Sequence, residues 1–355
     1  MAFIQIKPTD SLFFGSGKPF NAGSDSWTDS SFLPNPSVIW GALFSVLYRE
    51  GKINIVDGKV SKEQRKRLKI KNIYFYTIEN RVLKVLLPTP LDIFIDECGK
   101  THLAKVKKVD FISSYKLKYI SMVEKDNIDV ADNRFIEMSS LFKSYSKGID
   151  PSLCQFETVF RADYKIGIAI DKETKTAKET NLYRIDLTQF ENKSGLLIEY
   201  KLDGKESFEP SGILKLGGEG KTANFNNFEP NRVLKELDKY RDRELKKIKQ
   251  DGYFKLYFKT PTLFKNRWWE SNSIDGLKLL SANVGKYIPI GGFDMEKNKS
   301  KSMRKFIPAG SVFVYKIEDS SIDIIERIEK KIDFYEKCKG FGLFETLSIE
   351  EKIDE

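Results

Sequence analysis

Apolar and polar residues alternate over residues 3–7 and Pro8 ends the run, so the chain predicts an opening strand. Residues 15–36 are dense in Gly, Ser, Asp, Asn and Pro, the composition of a loop. Ser37 then stands where a cap would open a helix to about residue 48, with Val38, Leu43, Phe44 and Leu47 inward and Gly51 beyond its end. Two β-rich runs, 73–78 and 82–87, flank Glu79-Asn80-Arg81 as the arms of a hairpin would. From about 96 to 151 the pattern is poor and charged, which predicts an irregular insertion. Strands resume at 158–162, 165–170, 182–189 and 195–202, and a short apolar segment, 211–216, leads into Gly217-Gly218-Glu219-Gly220-Lys221.

After Pro230, residues 231–250 predict a charged helix with Val233, Leu234, Leu237, Tyr240, Leu245 and Ile248 as its apolar stripe. Strand 253–260, helix 274–281, strands 286–293 and 311–317, helix 321–337 and a strand after Gly342 follow, which is the order βαββαβ. The first half takes the same order if the segments between 53 and 202 elaborate its second and third strands. The fold class predicted is therefore α+β, with two ferredoxin-like domains: 1–229, which carries the insertions, and 230–355, which the charged helix opens. In each half a glycine-rich stretch, Gly217-Gly218-Glu219-Gly220 or Gly340-Phe341-Gly342, falls between the second helix and the fourth strand.

Composition agrees with two cores. The 355 residues exceed a usual domain, and 40% are hydrophobic, with 26 Phe and 15 Tyr. Charge adds a partner: 60 Lys and Arg against 51 Asp and Glu leave +9, which favours a polyanion if the cations cluster and a merely soluble surface if they do not. Cys98, Cys154 and Cys338 are far apart and form no C-x-x-C pair, so neither a disulfide framework nor a structural zinc site is expected, and the compartment reads as reducing and cytoplasmic. No apolar run approaches the roughly 18 residues a membrane span needs, and no secretory leader is visible.

Two enzyme motifs are approached and missed. Gly217-Gly218-Glu219-Gly220-Lys221-Thr222 ends like a phosphate-binding P-loop, but Lys215 stands where the first glycine belongs. Gly291-Gly292-Phe293-Asp294 resembles a Gly-Gly-Asp-Asp metal turn, but Phe293 stands where the carboxylate belongs. Both leave glycine loops able to approach a phosphate closely. The second is followed by Lys297, Lys299, Lys301, Arg304 and Lys305, either a solvated tip or a basic finger for RNA backbone. Metal-free RNA cleavage needs a base and an acid, and the chain has only His102, which could act with a Lys or Tyr, although a lone His is more often a surface or packing residue. Asp92 and Asp96 lack a further acidic pair for a two-metal site, so no metal, cofactor or catalytic residue is assigned. The basic run of Lys62, Arg65, Lys66, Arg67 and Lys69 is a solvated face or a phosphate track, and Trp268-Trp269 reads as core or subunit contact.

The opening text is more specific: Lys7-Pro8-Thr9-Asp10-Ser11-Leu12-Phe13-Phe14, Gly17-Lys18-Pro19-Phe20, Gly23, then Pro34-Asn35-Pro36-Ser37 and Gly41-Ala42-Leu43. With Leu216-Gly217-Gly218-Glu219-Gly220 and Pro308-Ala309-Gly310-Ser311-Val312, it resembles the RAMP-superfamily subunit, third by naming convention, of the Cmr effector complex in type III-B CRISPR systems. The resemblance spans nearly the whole chain. It implies two ferredoxin-like domains and a non-catalytic RNA-binding role in antiviral defence at the foot of the complex. There the subunit would hold the 5′ handle of the CRISPR RNA and dock the large palm-domain subunit and the backbone RAMP subunits. The family usually has Arg-Asp before Gly-Arg-Pro-Phe; here Gly15-Ser16 precede and Lys18 replaces the guanidinium, exchanging a fork for a point charge. The residues expected on RNA are Gly17, Lys18, Gly217, Gly218, Lys221, Gly291, Gly292, Arg304, Lys305, Lys339, Gly340 and Gly342. The rivals are a metal-independent CRISPR-RNA-processing endoribonuclease of the same superfamily and a scaffold that touches only protein.

Overall fold

The opening strand, Ala2–Pro8, lies inside an eight-stranded sheet. Across that sheet run Leu153–Gln155, Arg134–Glu137, Val82–Pro88, Leu68–Glu79, Ser194–Leu202, Ala2–Pro8, Thr222–Phe228 and Ser211–Lys215, every neighbour antiparallel. A four-stranded antiparallel sheet follows in the order Leu277–Asn283, Val312–Ile317, Tyr253–Phe258, Phe344–Leu347. When strands are counted in chain order, this small sheet and the four strands 68–79, 194–202, 2–8 and 222–228 of the large one share the arrangement 2-3-1-4. The computed structural model describes residues 2–15, 27–28, 33–54, 60–110, 117–170, 173–174, 176–204, 206–265, 274–294, 298–321, 323–332, 337–350 and 353.

The alternation that marked the opening strand has its cause in the core: Ile4 and Ile6 are fully buried between two neighbouring strands. The expected hairpin is present, with Asn80 at φ +49° and Arg81 at φ +65°, the left-handed pair that a two-residue turn requires. The first helix is Pro36–Arg49, and its cap position is Asn35, not Ser37, because Pro36 supplies the preset φ of the first helical residue. Ile39, Trp40, Leu43, Val46 and Leu47 form its buried face. The charged helix is Leu237–Asp251, ended by Gly252 at φ +74°; Leu237 and Ile248 are buried, as is Leu234 in the short turn of helix before it.

Three expectations are corrected. The described residues of 96–151 are not irregular: they hold strands Thr101–Leu103, Lys105–Lys108, Tyr119–Met122, Ile128–Val130 and Arg134–Glu137 and the helix Met138–Lys147. The strands are only three or four residues long, too short for a local period to announce them. The predicted helix 274–281 is strand instead: Gly276 at φ +80° turns the chain, and Leu277 and Leu279 pair with Ile317 and Tyr315 of Val312–Ile317, with Leu280 at a bulge between Leu279 and Ser281. Between Ser194–Leu202 and Thr222–Phe228, where a second helix was expected, the described residues form the strand Ser211–Lys215, which turns back on Thr222–Phe228.

The two sheets share a core. Tyr74, Tyr76 and Leu197 of the large sheet, Leu234 and Leu237, and Tyr257, Val312 and Leu347 of the small sheet belong to one apolar cluster. Gly310, at φ +93°, lets the backbones meet: a Cβ there would lie 2.8 Å from the Thr89 carbonyl oxygen, and the Leu91 amide donates to the Gly310 carbonyl at 2.8 Å. The segment Pro308-Ala309-Gly310-Ser311 thus joins the sheets. Among the described residues no helix is long and apolar enough to cross a membrane.

Candidate nucleic-acid interface

The first glycine loop is closed by the Leu216 amide donating to the Lys221 carbonyl at 3.0 Å. A Cβ on Gly217, which sits at φ +80°, would lie 2.4 Å from the Phe13 carbonyl oxygen, and one on Gly218 would lie 2.7 Å from the Phe13 ring. The Gly218 amide donates to that same Phe13 oxygen at 2.9 Å. These two glycines therefore admit the protein's own opening segment. Lys221 Nζ is 2.6 Å from Asp10 Oδ2, and that hydrogen bond, with the Ser11 amide, holds the Asp10 carboxyl below its ordinary value. We expect Gly217→Ala to lower unfolding free energy by roughly 3 kcal/mol, whereas Gly220→Ala, left-handed but in open space, costs only about 1. Urea denaturation of the two variants compares them, and equal costs would show that close approach does not select Gly217.

The second loop is likewise pressed onto protein. A Cβ on Gly340, at φ +91°, would lie 2.9 Å from Ile70 Cγ2, and its carbonyl accepts from Thr260 Oγ1 at 2.9 Å. A Cβ on Gly342, at φ +70°, would meet Ile332 Cγ2 at 2.8 Å, and its amide donates to Pro261 O at 3.1 Å. Lys339 places its ammonium 4.9 Å from the Trp40 ring centroid on the first helix. Phe341 packs on Phe306 with ring centroids 5.1 Å apart, which carries the contact to the basic finger.

That finger is a hairpin. Ile288–Ile290 pairs antiparallel with Arg304–Phe306, in the register Ile288 to Phe306, Pro289 to Lys305 and Ile290 to Arg304. Its inner face, Ile288, Ile290 and Phe306, packs with Phe341 and Leu263. The period of two then turns Tyr287, Pro289, Gly291, Met303 and Lys305 to the other face. Tyr287 is 48% and Met303 42% exposed, and the Lys305 ammonium lies 4.5 Å from the Tyr287 ring centroid. A Cβ on Gly291 would stand 2.5 Å from Met303 Sδ, so the missing side chain lets Met303 lie across the hairpin. Gly292, at φ +135°, has open space around its Cα, and its carbonyl accepts from the Lys301 amide at 2.8 Å.

Of the expected RNA residues, the structure links Gly217 and Gly218 to the first helix through Phe13 and Phe14, and links that helix through Lys339 and Phe341 to Arg304 and Lys305. Lys221 stays on the opening segment, and Gly291 and Gly292 lie at the far end of the hairpin. Gly17 and Lys18 lie outside the described residues, as do Lys297 and Trp268-Trp269. His102 Nε2 is 2.9 Å from Asp96 Oδ2, and Lys125 binds the same carboxylate; with the Lys100 amide they hold the Asp96 carboxyl far below its ordinary value. His102 is thus one of several hydrogen-bond partners of the buried Asp96 carboxylate. Among the described residues no group of three or more His, Cys, Asp or Glu is placed to hold a metal ion. The run 62–67 is a short helix capped by Ser61, with Arg67 bonded to Glu206 and Lys69 to Asp203 at 2.7 Å.

Sequence reasoning missed the buried ionic contacts between the sheets. Lys255 reaches Asp92 at 2.7 Å, where Tyr145 also donates. Lys259 reaches Glu345 at 2.7 Å, and Arg241 clasps the same carboxylate through Nε and Nη2. Lys259 also donates to Asn72, whose amide nitrogen donates to Glu199. The signal was faint: Lys255, Tyr257 and Lys259 share one face of an otherwise apolar strand, a pattern ordinarily read as solvent-facing.

Comparison with known proteins adds the family. Residues 4–349 match the family described as CRISPR-associated protein (Cas_Cmr3). The chain is 25% identical over 347 residues to the CRISPR system CMR subunit Cmr3 of Saccharolobus solfataricus, covering 92% of this chain and 89% of that one. Its fold is similar to chains in two cryo-EM structures of the type III-B Cmr-beta. For the one bound to cognate target RNA and AMPPnP, the TM-score is 0.54 and identity 18%, covering 95% and 93% of the two chains. For the one bound to cognate target RNA, the values are 0.52 and 20%, covering 95% and 94%. A single family match running from the opening strand through both sheets to the last one settles the relationship, and the chain belongs to the CRISPR-associated Cas_Cmr3 family.

Proposed function

We propose that the chain is a non-catalytic RNA-binding subunit of a type III-B Cmr ribonucleoprotein. It holds the 5′ handle of the CRISPR RNA and docks the large palm-domain subunit and backbone RAMP subunits. The observation that carries the RNA half is the hairpin. Residues 286–305 contain six basic residues against Asp294 and Glu296, on an element whose inner face is anchored in the core. Arg304 and Lys305 rank first as phosphate contacts because both are exposed. Lys221 and Lys339 rank second, being only partly exposed. Gly217, Gly218, Gly340 and Gly342 act through the packing of the loops that carry those cations, and Gly292 keeps open space for a phosphate. The two 2-3-1-4 sheets support a pair of ferredoxin-like domains, each with one helix replaced or shortened. For the protein-docking half the support is the ribbon Phe160–Ile170 with Ala177–Phe190, where Tyr164, Ile166 and Ile168 expose an apolar stripe.

The test incubates the purified chain, without divalent metal, with a labelled repeat-containing RNA across a salt series. Binding that weakens with salt and leaves the RNA intact is expected, and the His102→Ala variant should bind and leave it intact equally. RNA cleavage lost in His102→Ala would overturn the non-catalytic reading in favour of the endoribonuclease. Absence of binding at low salt, alone or with the large subunit, would favour the protein-only scaffold.

A further inference from the structure

We infer that the outer face of the 288–306 hairpin is a stacking site for one unpaired nucleobase, with Tyr287 as its platform and Lys305 beside it for the adjoining phosphate. This rests on the RNA-binding reading above and names the kind of RNA the hairpin takes. The Lys305 ammonium over one ring face fixes Tyr287, and a residue 48% exposed keeps surface for a planar group. A fixed ring loses little conformational freedom when a base arrives. Further along the same face Met303 lies across Gly291, which has no side chain, and continues the apolar surface. Pro289, directly across from Lys305, adds a flat rigid wall without a backbone donor. Apart from Lys305 and the Tyr287 hydroxyl, the described residues Pro289, Gly291 and Met303 of this face carry no side-chain group that pairs a Watson–Crick edge, so the site reads the plane of a base more than its identity. A base inside a duplex has no free plane, so the ligand is single-stranded.

Charge selects a nucleic acid over a protein here. The ribbon Phe160–Ile170 with Ala177–Phe190 also sets an arginine over a tyrosine, Arg184 at 4.7 Å from the Tyr164 centroid. Its residues 160–190, however, balance six basic against five acidic side chains, whereas residues 286–305 hold six against two.

The test uses the purified full chain and a short single-stranded RNA carrying 2-aminopurine, read by anisotropy and by quenching at several salt concentrations. Tyr287→Phe should bind within about 2-fold of the native chain. Tyr287→Leu should bind about 5- to 100-fold more weakly, with the salt slope unchanged and the quenching lost. A fully paired RNA of the same length should bind both variants and the native chain alike. If Tyr287→Leu binds as the native chain does while the Arg304→Glu/Lys305→Glu pair does not, the hairpin contacts phosphate alone and the stacking site is wrong. If neither change weakens binding, the RNA-binding reading of the hairpin fails and the stacking site with it. Tyr287 is exposed, so far-ultraviolet circular dichroism of each variant should match the native chain.

Discussion

Replacing Glu345 with Gln is expected to cost about 3–5 kcal/mol of stability at pH 7 and almost nothing near pH 2. The carboxylate is 4% exposed and lies between Lys259 and the guanidinium of Arg241. Burial opposes its ionisation, but the charges of Lys259 and Arg241 more than offset that and bring its pKa from an ordinary 4.5 to about 2. A carboxyl with a depressed folded pKa contributes stability that is complete above the unfolded value and lost as pH falls through the folded one. The window is therefore about pH 4.5 to 2, and the drop corresponds to about 3 kcal/mol at roughly 1.4 kcal/mol per pH unit. In Glu345→Gln the buried Lys259 and the partly buried Arg241 face a neutral amide at pH 7, whereas below about pH 2 the native carboxyl is neutral as well and the two proteins converge. Urea midpoints at a series of pH values measure this, and a difference that does not shrink on acidification would contradict it. Adding Lys259→Met to Glu345→Gln should recover about half of the loss at pH 7, because it removes one stranded cation.

The same cluster explains why parts of the fold were legible and parts were not. The opening strand, the Asn80-Arg81 hairpin and the helix Leu237–Asp251 announce themselves through local period or turn chemistry, which a sequence carries whole. The helix Met138–Lys147 had its signal too, with Met138, Leu141, Phe142 and Tyr145 at helical spacing, but charged neighbours on either side obscured it. Leu277–Asn283 carries a Leu-Lys-Leu-Leu run that fits helix or strand equally, and only its partner Val312–Ile317 decides. Lys255 and Lys259 are harder still. A lysine on a strand is ordinarily read as a solvent face, and only Asp92 and Glu345, 163 and 86 residues away, make burial tolerable. The glycines show the same limit: Gly217 and Gly340 were visible as loops, but what each loop admits, Phe13 in one case and Ile70 in the other, is set by chain far away in sequence.

Reversing the charge of Arg304 and Lys305 together, as Arg304→Glu/Lys305→Glu, is expected to weaken single-stranded RNA binding on the order of 100-fold near 100 mM salt. Two phosphate contacts are lost and two repulsive groups added, so the slope of log affinity against log salt should flatten by about 1 to 1.5. The effect belongs to position, since charge alone is plentiful elsewhere on this surface. Lys62→Glu/Lys66→Glu alters formal charge by the same amount on the exposed helix Lys62–Arg67, and should leave affinity within about 3-fold. Lys221→Gln should also act weakly, because Asp10 at 2.6 Å already opposes that ammonium. Anisotropy titrations at three or four salt concentrations separate the cases: equal losses from both charge reversals would mean a diffuse field, and a loss confined to Arg304 and Lys305 would mean a site. A site is what the packing argues for. Phe306, beside those two cations in the strand, is 2% exposed and packs on Phe341, so the hairpin holds its cations at a fixed distance from the Lys339 loop and the Trp40 helix. RNA laid across it would meet charge at fixed spacing, which a mobile basic tail could not offer.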